Sequence, residues 1–409
     1  MKQAKPLTIA NGQLVTPEGI IKGALRIVDG TIAALGADVS AQDGDETYDA
    51  RGKLIAPGLV DLGVFAIDKP AFHFGGITRA ALMPDQSPPL DYPSRVNFIA
   101  KSGKPDLWVH PLGAATSGLE GKALAEIALM KDAGARGVAT GRSWIADSGV
   151  MLRLLQYAAM LDLVVVSHPE DGNLTGAAAA TAGEIATRLG LPSAPAEAET
   201  LALARDIALA EMSGARVHFR QVTTARGFEL VRDAKARGVN VTCGITPAHF
   251  MLSDLASADF RTFTRLSPPL RSEADRLAAR EAIADGVVDV ICSGHDPRGP
   301  EGKRLPFADA DPGMAGAATL LAMTLGLVRD DVIGTARALK LLAANPAGLL
   351  GVKAGALIEG FEADIAIIDP DAPWFVDRTK MEANSDNTPF DRQGVQGRVK
   401  ALFKGGVQI

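Results

Sequence analysis

The order of apolar and amphipathic segments between residues 56 and 350 constrains the fold of this sequence more than any other feature. Short apolar runs alternate there with longer stretches of helical periodicity, such as GVMLRLLQYAAML and ETLALARDIALAEM. Strands that alternate with helices form parallel sheets, because each helix returns the chain to the start of the next strand. Eight runs are predicted as strands: GLVDLGV, TRAALMP, LWVHPLG, RGVATG, LVVVSH, RVHFRQV, NVTCGI and VVDVICSG. We therefore predict an α/β fold in which eight strands close into a (β/α)8 TIM barrel.

The two ends of the chain share a different pattern. LTIANGQLVT and ALRIVDGTIAALG near the start, and ADIAIIDP and GRVKALFKGGVQI near the end, have the apolar content and turn residues of short strands. We predict that residues 1–55 and 356–409 pair into one composite β-sandwich domain, beside a barrel domain of residues 56–355. The chain length of 409 residues fits one barrel with an appended domain.

Polar residues end several of the predicted barrel strands. His168 precedes a proline, Thr246 precedes another, and Gln221 and His295 close two further apolar runs. In such barrels the active site lies at the carboxyl ends of the strands. The repetition over four strands predicts the rim of a pocket.

Composition excludes several classes of partner. The formal net charge is -6 and the sequence pI is about 5.6, which argues against nucleic acid and anionic membranes as partners. We find no signal-peptide pattern at the start and no apolar stretch near the ~20 residues of a membrane helix. Cys243 and Cys292 lie in apolar runs and are predicted to be buried free thiols, so a cytoplasmic location is expected.

A set of segments, taken in order, resembles the dihydroorotase family over nearly the whole chain. They are LIAPGLVDLGVF, GGITRAALMPDQSPPLD, VSHPEDGNL, VHFRQVTTARGFELVRDAKARGVNVTCGITPAHFMLSD, RLSPPLRSEADRLAAREAIADGVVDVICSGHDP, EGFEADIAIIDPD and NTPFDRQGVQGRV. The resemblance implies a metal-dependent amidohydrolase-type barrel with a β-domain built from both ends. It also implies a place in pyrimidine biosynthesis.

The metal positions of that family are largely replaced in this chain. The family's first strand ends in a His-x-His pair of metal ligands, and the matching residues here are Gly63 and Phe65. The two histidines are separated by one residue, so on a strand their side chains point to the same face and can bind the same metal site. The histidine ligand of the sixth strand matches Gln221, and the aspartate that binds metal and moves the proton matches Gly294.

Substrate-binding positions differ as well. An arginine and a histidine that hold substrate in the family match Ile67 and Arg298, and two asparagines match Asp85 and Ser267. Ile67 cannot pair with a carboxylate, and the charge of Asp85 would repel one. The resemblance therefore implies that these residues no longer bind the family's acidic substrate.

Few candidate ligands remain. His168 matches the metal ligand of the fifth strand, Asp147 is a candidate for the carboxylate between two metals, and His295 stands beside the lost aspartate. A catalytic zinc normally keeps three protein ligands and one open position. With Asp296 and Asp171 as further candidates, a rebuilt zinc site is conceivable, but we expect no catalytic residues, no metal and no other cofactor.

The first crossover is shortened. Only AIDKPAFHF lies between Phe65 and the Gly75-Gly76 pair, where dihydroorotases have a loop and a whole helix. A parallel crossover usually needs a dozen or more residues. We predict an incomplete first βα unit, which exposes the neighbouring helices unless another segment covers them.

Three functional hypotheses follow from the resemblance. The leading one is a non-catalytic dihydroorotase-like subunit, a pseudoenzyme in a homo- or hetero-oligomer, because some homologues of this kind associate with aspartate carbamoyltransferase and support its assembly. The second is an active cyclic amidohydrolase with a rebuilt, mononuclear metal site. The third is a barrel that binds a metabolite without hydrolysing it.

Overall fold

The computed structural model describes residues 5–409. Its strands follow the predicted order of an all-β start, a long alternating region and an all-β end. They are β1 (Leu7–Thr16), β2 (Gly19–Val28), β3 (Thr31–Gly36), β4 (Glu46–Asp49), β5 (Leu54–Pro57), β6 (Leu59–Val64), β7 (Ile77–Leu82), β8 (Trp108–Ala114), β9 (Gly137–Ala139), β10 (Val164–Ser167), β11 (Ala180–Thr181), β12 (Ser193–Ala194), β13 (Val217–Phe219), β14 (Val241–Ile245), β15 (Val290–Ile291), β16 (Ile365–Phe375), β17 (Gly394–Lys404) and β18 (Val407–Gln408).

The helices lie between the barrel strands and after the last of them. They are α1 (Lys69–Gly75), α2 (Pro93–Ser102), α3 (Ile127–Asp132), α4 (Ser148–Met160), α5 (Gly172–Thr175), α6 (Glu184–Leu189), α7 (Glu197–Ser213), α8 (Ala225–Ala236), α9 (Pro247–Met251), α10 (Glu273–Asp285), α11 (Pro300–Lys303), α12 (Leu320–Arg329), α13 (Thr335–Leu339) and α14 (Asn345–Leu349). A π-helical turn over Lys340–Ala344 joins the last two.

Eight parallel strands form the barrel in the order β6, β7, β8, β9, β10, β13, β14 and β15. Parallel strands are covered on both faces, which explains why their sequences are continuous apolar runs. The first and last strands meet through two hydrogen bonds. Phe65 N–H donates to the His295 carbonyl at 2.8 Å, and Ser293 N–H donates to the buried Asp61 carboxylate at 2.9 Å. The predicted (β/α)8 barrel is confirmed.

The first βα unit is reduced to the seven-residue helix α1. Asp68 caps this helix by accepting a hydrogen bond from Ala71 N–H at 3.2 Å, and Gly76 ends it at a φ of 83°. The segment 376–393, between β16 and β17, covers the unit. Asn384 N–H donates to Asp68 at 2.8 Å, and Phe390 is buried beside the barrel mouth. The predicted incomplete unit is therefore present, with the carboxyl-terminal segment packed over it.

Strands from both ends of the chain join in one mixed sheet. Its order is β18, β17, β16, β5, β1, β2 and β3, with β4 paired to β1. Within it, Ile55 of β5 lies opposite Ile367 of β16 in antiparallel register. The sheet has its own buried cluster, which includes Ile9, Leu25 and Ile365.

A group of buried charges joins this sheet to the amino-terminal ends of the barrel strands. We call Arg79, Glu362, Asp364 and Lys404 the floor cluster. Arg79 Nε donates to Asp364 at 2.7 Å and its other nitrogen bonds Glu362, while Lys404 Nζ donates to Asp364 at 2.8 Å. The Trp108 ring lies 4.6 Å from the Arg79 guanidinium carbon. Each charge of the floor cluster therefore has a partner of opposite sign.

Two further expectations from the sequence concern the state of the cysteines and the presence of a membrane-spanning helix. Cys243 and Cys292 are buried and free, as predicted. Burial raises the pKa of the Cys292 thiol to about 12, which keeps it protonated at neutral pH. Within residues 5–409 no helix is both long and apolar enough to cross a membrane.

Candidate functional site at the barrel mouth

The residues that the resemblance matches to metal and substrate positions converge at the carboxyl ends of the barrel strands. A small cavity of about 20 Å³ lies there, lined by Phe65, Gln221, Ser267 and Gly294 together with Arg220, His249, Leu266, Asp296, Gly313 and Met314. A cavity of this size has room for about one water molecule. The structure thus brings the replaced positions together and fills most of the space between them.

Arg220 occupies the space beside Gly63. Gly63 lies in β6 and has a φ of 93°, a backbone conformation in which residues other than glycine are strained. A Cβ atom built on it would lie 3.6 Å from the aliphatic carbons of Arg220. The arginine chain therefore packs against the position of the first lost histidine.

The second lost histidine is replaced by a ring that faces two cations. Phe65 is buried, and the guanidinium carbons of Arg142 and Arg220 lie 3.8 Å and 5.1 Å from its ring centroid. Cations within about 6 Å of a ring centroid are attracted by the ring's quadrupole. Positive charge at this centre is supplied by side chains of the protein.

Arg220 also controls the chemical state of His168. One Nη atom of Arg220 lies 3.1 Å from His168 Nδ1. Arginine only donates hydrogen bonds, so Nδ1 must accept, and the proton of the neutral ring sits on Nε2. That nitrogen faces Glu170 at 3.6 Å. Burial lowers the pKa of His168 and favours the neutral ring, whose available lone pair is already used by Arg220.

His295 points away from the small cavity toward the first βα unit. Its Nδ1 accepts a hydrogen bond from Ala317 N–H at 3.4 Å, and its Nε2 lies 3.9 Å from Asp68. The Phe72 ring packs edge-on against it at 5.3 Å. Burial lowers the pKa of His295 to about 4, so the imidazole is neutral at physiological pH.

Two carboxylates considered as possible ligands serve as helix caps. Asp147 is exposed at the start of α4, where it accepts a hydrogen bond from Val150 N–H at 2.9 Å. Asp171 caps α5 by accepting from Asn173 N–H at 2.8 Å. In this structure Asp147 therefore serves as a helix cap, and its match to a metal-bridging carboxylate stays a prediction. Its spacing before an apolar helix was the signal of an N-cap.

The remaining matched positions are held by arginines or packed in the core. Asp296 accepts hydrogen bonds from both Nη atoms of Arg142 and from Arg298 at 2.9 Å. Asp85 accepts from the Arg142 backbone N–H at 2.9 Å. Ile67 packs, partly buried, against the barrel core. Asp296 and one oxygen of Asp85 are thus bonded within the protein, while the other oxygen of Asp85 is buried without a hydrogen-bond partner among the described residues.

These residues do not fit the divalent metal that the family implies. Across the described part of the chain, no group of three or more His, Cys, Asp or Glu side chains is placed to hold a metal ion. His168 Nδ1 faces Arg220, and Asp296 is bonded by two guanidinium groups. A zinc site needs three or four converging donors with free lone pairs, and a guanidinium occupies the place where they would converge.

A larger cavity opens next to the filled centre. Its volume is about 320 Å³, and we call it the mouth cavity. Its polar lining includes Arg142, Trp144, His168, Glu170, Arg265 and Ser267. Leu266 and Ser267 line both this cavity and the small one, so the two spaces are adjacent.

Sequence reasoning missed the arginines at the mouth. Arg220 directly precedes Gln221 in a buried apolar strand end, and Arg265 lies two residues before Ser267. A charged residue next to a lost ligand was an available signal, because a long cation can fill the space that a metal vacates. Arg142 gave a weaker signal, since its carboxylate partner Asp296 is far away in sequence.

Comparison with known proteins agrees with this fold. The model of the Amidohydrolase family matches residues 93–409. The chain is 40% identical to a dihydroorotase of Pelotomaculum thermopropionicum, covering 98% of this chain and 97% of that one. It is 36% identical to a dihydroorotase of a Geobacter species, with 98% of each chain covered. Among solved structures, the L-hydantoinase (dihydropyrimidinase) of Arthrobacter aurescens superposes with a TM-score of 0.89 at 25% identity, covering 99% of this chain and 96% of that one. The chain therefore belongs to the amidohydrolase family, with proteins named dihydroorotase as full-length relatives.

Proposed function

We propose that this chain is a non-catalytic, dihydroorotase-like subunit of pyrimidine biosynthesis that supports the assembly of aspartate carbamoyltransferase. One observation carries the proposal. Arg220 donates to His168 Nδ1 at 3.1 Å, at the place where the family's reaction needs a metal and a free imidazole lone pair. A cyclic amidohydrolase of this type polarises its substrate carbonyl with a metal and attacks it with a metal-held hydroxide. The protein's own cation fills that place.

The energetics of the centre support a retained scaffold. A metal site that has only lost its ion leaves imidazoles and carboxylates unpaired in the interior, which is costly. Here His168 bonds Arg220, and Asp296 bonds Arg142 and Arg298. These polar groups therefore have partners within the protein, which supports a scaffold role for the barrel.

The assembly role is tested with the carbamoyltransferase of the same organism. We would produce that enzyme with and without this chain, and measure mass by light scattering and carbamoyltransferase activity. We expect a stable complex of larger mass and higher activity per carbamoyltransferase chain when both are present. Equal assembly and equal activity in the absence of this chain would refute the role.

The catalytic alternative is favoured by the relatives named dihydroorotase, and metal analysis tests it. After purification in zinc-supplemented buffer, we expect less than about a tenth of an equivalent of zinc per chain, because the side chains that would bind the metal are missing. We also expect no hydrolysis of dihydroorotate. One or two tightly held zinc ions, with hydrolysis that is lost in His168→Ala, would establish the active amidohydrolase in place of the pseudoenzyme.

A further inference from the structure

The loop between the last barrel strand and α12 leaves the barrel and returns to its starting point. Asp296 N–H donates to the Met314 carbonyl at 2.8 Å, so the two ends of this excursion are joined. Gly313 permits the close approach, because its φ is 140° and a Cβ atom there would lie 2.5 Å from the Asp296 carbonyl oxygen. We call residues 299–311, which lie beyond the joined ends, the flap.

The flap is held together by contacts of its own. Asp311 N–H donates to the Gly302 carbonyl at 2.9 Å. Ala310 N–H donates to the Pro306 carbonyl, also at 2.9 Å, and Phe307 is buried. A compact loop whose ends meet and whose bonds are internal keeps its shape independently of its surroundings.

One residue makes the polar contacts between the flap and the rest of the protein. Within residues 5–409, every hydrogen bond from the flap to a residue outside it involves Lys303. Lys303 Nζ donates to the carbonyls of Thr262 and Arg265, at 3.1 Å each, and Thr262 Oγ1 donates to the Lys303 carbonyl. The polar attachment of the flap is therefore concentrated at one position.

The ammonium group of Lys303 is enclosed by acceptors. The side chain lies in a residue that is only 5% exposed, and the Asp311 carbonyl, 2.6 Å from Nζ, is the third carbonyl oxygen around it. Burial and the neighbouring Arg298 lower the pKa of the amine to about 7, but only the charged form has three N–H donors for these three acceptors. A side chain without the ammonium group loses three charge-assisted hydrogen bonds.

This attachment lies at the edge of the mouth cavity. Arg265, whose carbonyl accepts from Lys303, lines the cavity, and so does Pro312, the residue that follows the flap. Gly313 N–H also donates to the Arg265 carbonyl, at 3.1 Å. A displacement of the flap therefore shifts two parts of the cavity wall.

From these contacts we propose that the flap is hinged at its joined ends, that Lys303 is its latch, and that release of the latch widens the mouth cavity. A segment with few contacts to its surroundings opens at a lower free energy than the whole protein unfolds. The flap is such a segment, because its polar contacts outside itself depend on one side chain. The device goes beyond the assembly role and does not depend on it.

Hydrogen exchange with mass spectrometry tests the latch in the full chain at pH 6, where the ammonium group is charged. In Lys303→Met, we expect the amides of residues 299–311 to exchange about tenfold faster or more, because the charge-assisted bonds are lost. Peptides from β13 and β14 should exchange as in the wild type. Arg304→Met, which removes an adjacent exposed cation, is the matched control and should leave flap exchange unchanged.

Trp144 reports on the width of the cavity. It lines the mouth cavity, whereas the other two tryptophans, Trp108 and Trp374, do not. Quenching of emission by acrylamide is measured for the wild type and Lys303→Met, each beside its own Trp144→Phe counterpart, so that the other two rings are subtracted. We expect stronger quenching of Trp144 in Lys303→Met and no change in Arg304→Met.

A second variant tests the same attachment from the opposite side. Thr262→Val removes the hydroxyl that donates to the Lys303 carbonyl and leaves the lysine in place. We expect faster exchange over the whole flap, by a smaller factor than in Lys303→Met, because one neutral hydrogen bond is lost. If Lys303→Met does not fold, Thr262→Val carries both measurements.

Three results would overturn the latched flap. They are unchanged exchange in the variants, faster exchange confined to the residues beside Lys303, and faster flap exchange without stronger quenching of Trp144. Because the carbamoyltransferase is absent from these measurements, a negative result rejects the flap and leaves the assembly proposal standing.

Discussion

The two ends of the barrel each bury an arginine, in opposite electrostatic settings. At the floor, Arg79 bonds Asp364 at 2.7 Å and also bonds Glu362. At the mouth, Arg220 is equally inaccessible but meets only the neutral ring of His168 and the face of Phe65. Both arginines are buried, but of the two only Arg79 is bonded to carboxylates within the described residues. The difference suggests that the floor cluster holds the sheet to the barrel, whereas the mouth contains a buried arginine without a bonded carboxylate.

The largest expected effect comes from breaking the balanced cluster. In Arg79→Met, the buried Asp364 loses one of its two cationic partners, and we expect the free energy of unfolding to fall by about 3–5 kcal/mol. Urea denaturation would measure the loss. Lys122→Met, which removes an exposed pair with Glu120, is the control and should change stability by less than about 0.5 kcal/mol. If both variants lose equally little unfolding free energy, the floor cluster does not hold the sheet to the barrel.

Removing the ring between the mouth arginines should cost nearly as much. Phe65→Ala leaves a cavity beneath Arg142 and Arg220, and we expect a loss of about 3 kcal/mol in urea denaturation. Phe65→Leu fills most of the volume and should cost less than about 1.5 kcal/mol. If the alanine variant is as stable as the leucine variant, Phe65 does not support the filled centre.

Acid should weaken both ends through buried neutral histidines. Burial, reinforced by the nearby Arg79, lowers the pKa of His110 beside the floor cluster to about 3, and burial lowers that of His249 at the mouth to about 4. The unfolded chain protonates these rings below about pH 6.5, while the folded chain does not. Stability is therefore fully present above pH 6.5 and falls toward pH 4, by up to about 1.4 kcal/mol per pH unit for each histidine.

The acid effect is checked by urea denaturation of the wild type and His110→Asn at pH 7, 6 and 5. The variant lacks one titrating ring, so its stability should fall less steeply, by a slope equivalent to one proton. Asp61, whose pKa burial raises to about 6, opposes the trend in both proteins equally. Parallel pH profiles would contradict a neutral, buried His110.

The smallest effect is expected where the charge is unbalanced. Arg220→Met removes a cation that forms no salt bridge among the described residues, so the lost bond to His168 is offset by relief of desolvation. We expect the free energy of unfolding to change by less than about 1 kcal/mol. A loss as large as that of Arg79→Met would mean that the two arginines have the same structural role.

The alternation of strands and helices was enough to predict the barrel, because periodicity reports burial directly. The resemblance placed Phe65, Gln221 and Gly294 at one centre, and the structure brings them together. The shortened first βα unit could also be predicted, because a parallel crossover needs a minimum number of residues. These features depend on local pattern or on ordered motifs.

The sequence did not predict which side chains fill the space at the barrel mouth. The contact of Arg220 with His168 joins residues 52 positions apart, and that of Arg142 with Asp296 joins residues 154 apart. No regular spacing in the sequence identifies either pair, because the long arginine side chain reaches its partner across the barrel. Asp147 illustrates the opposite case, because a carboxylate before a helix satisfies a local cap and needs no distant partner.

The mixed sheet has a consequence for how the protein is made. Lys53 and Asp369, which form a salt bridge across β5 and β16, are 316 positions apart in the chain. The amino-terminal strands leave the ribosome first but have no partner on that side until the last strands follow. The sheet therefore closes only after residues 365–375 have been made, and until then the edge of β5 is unpaired and open to wrong pairing. A chain that stops short of β16 would carry this edge permanently.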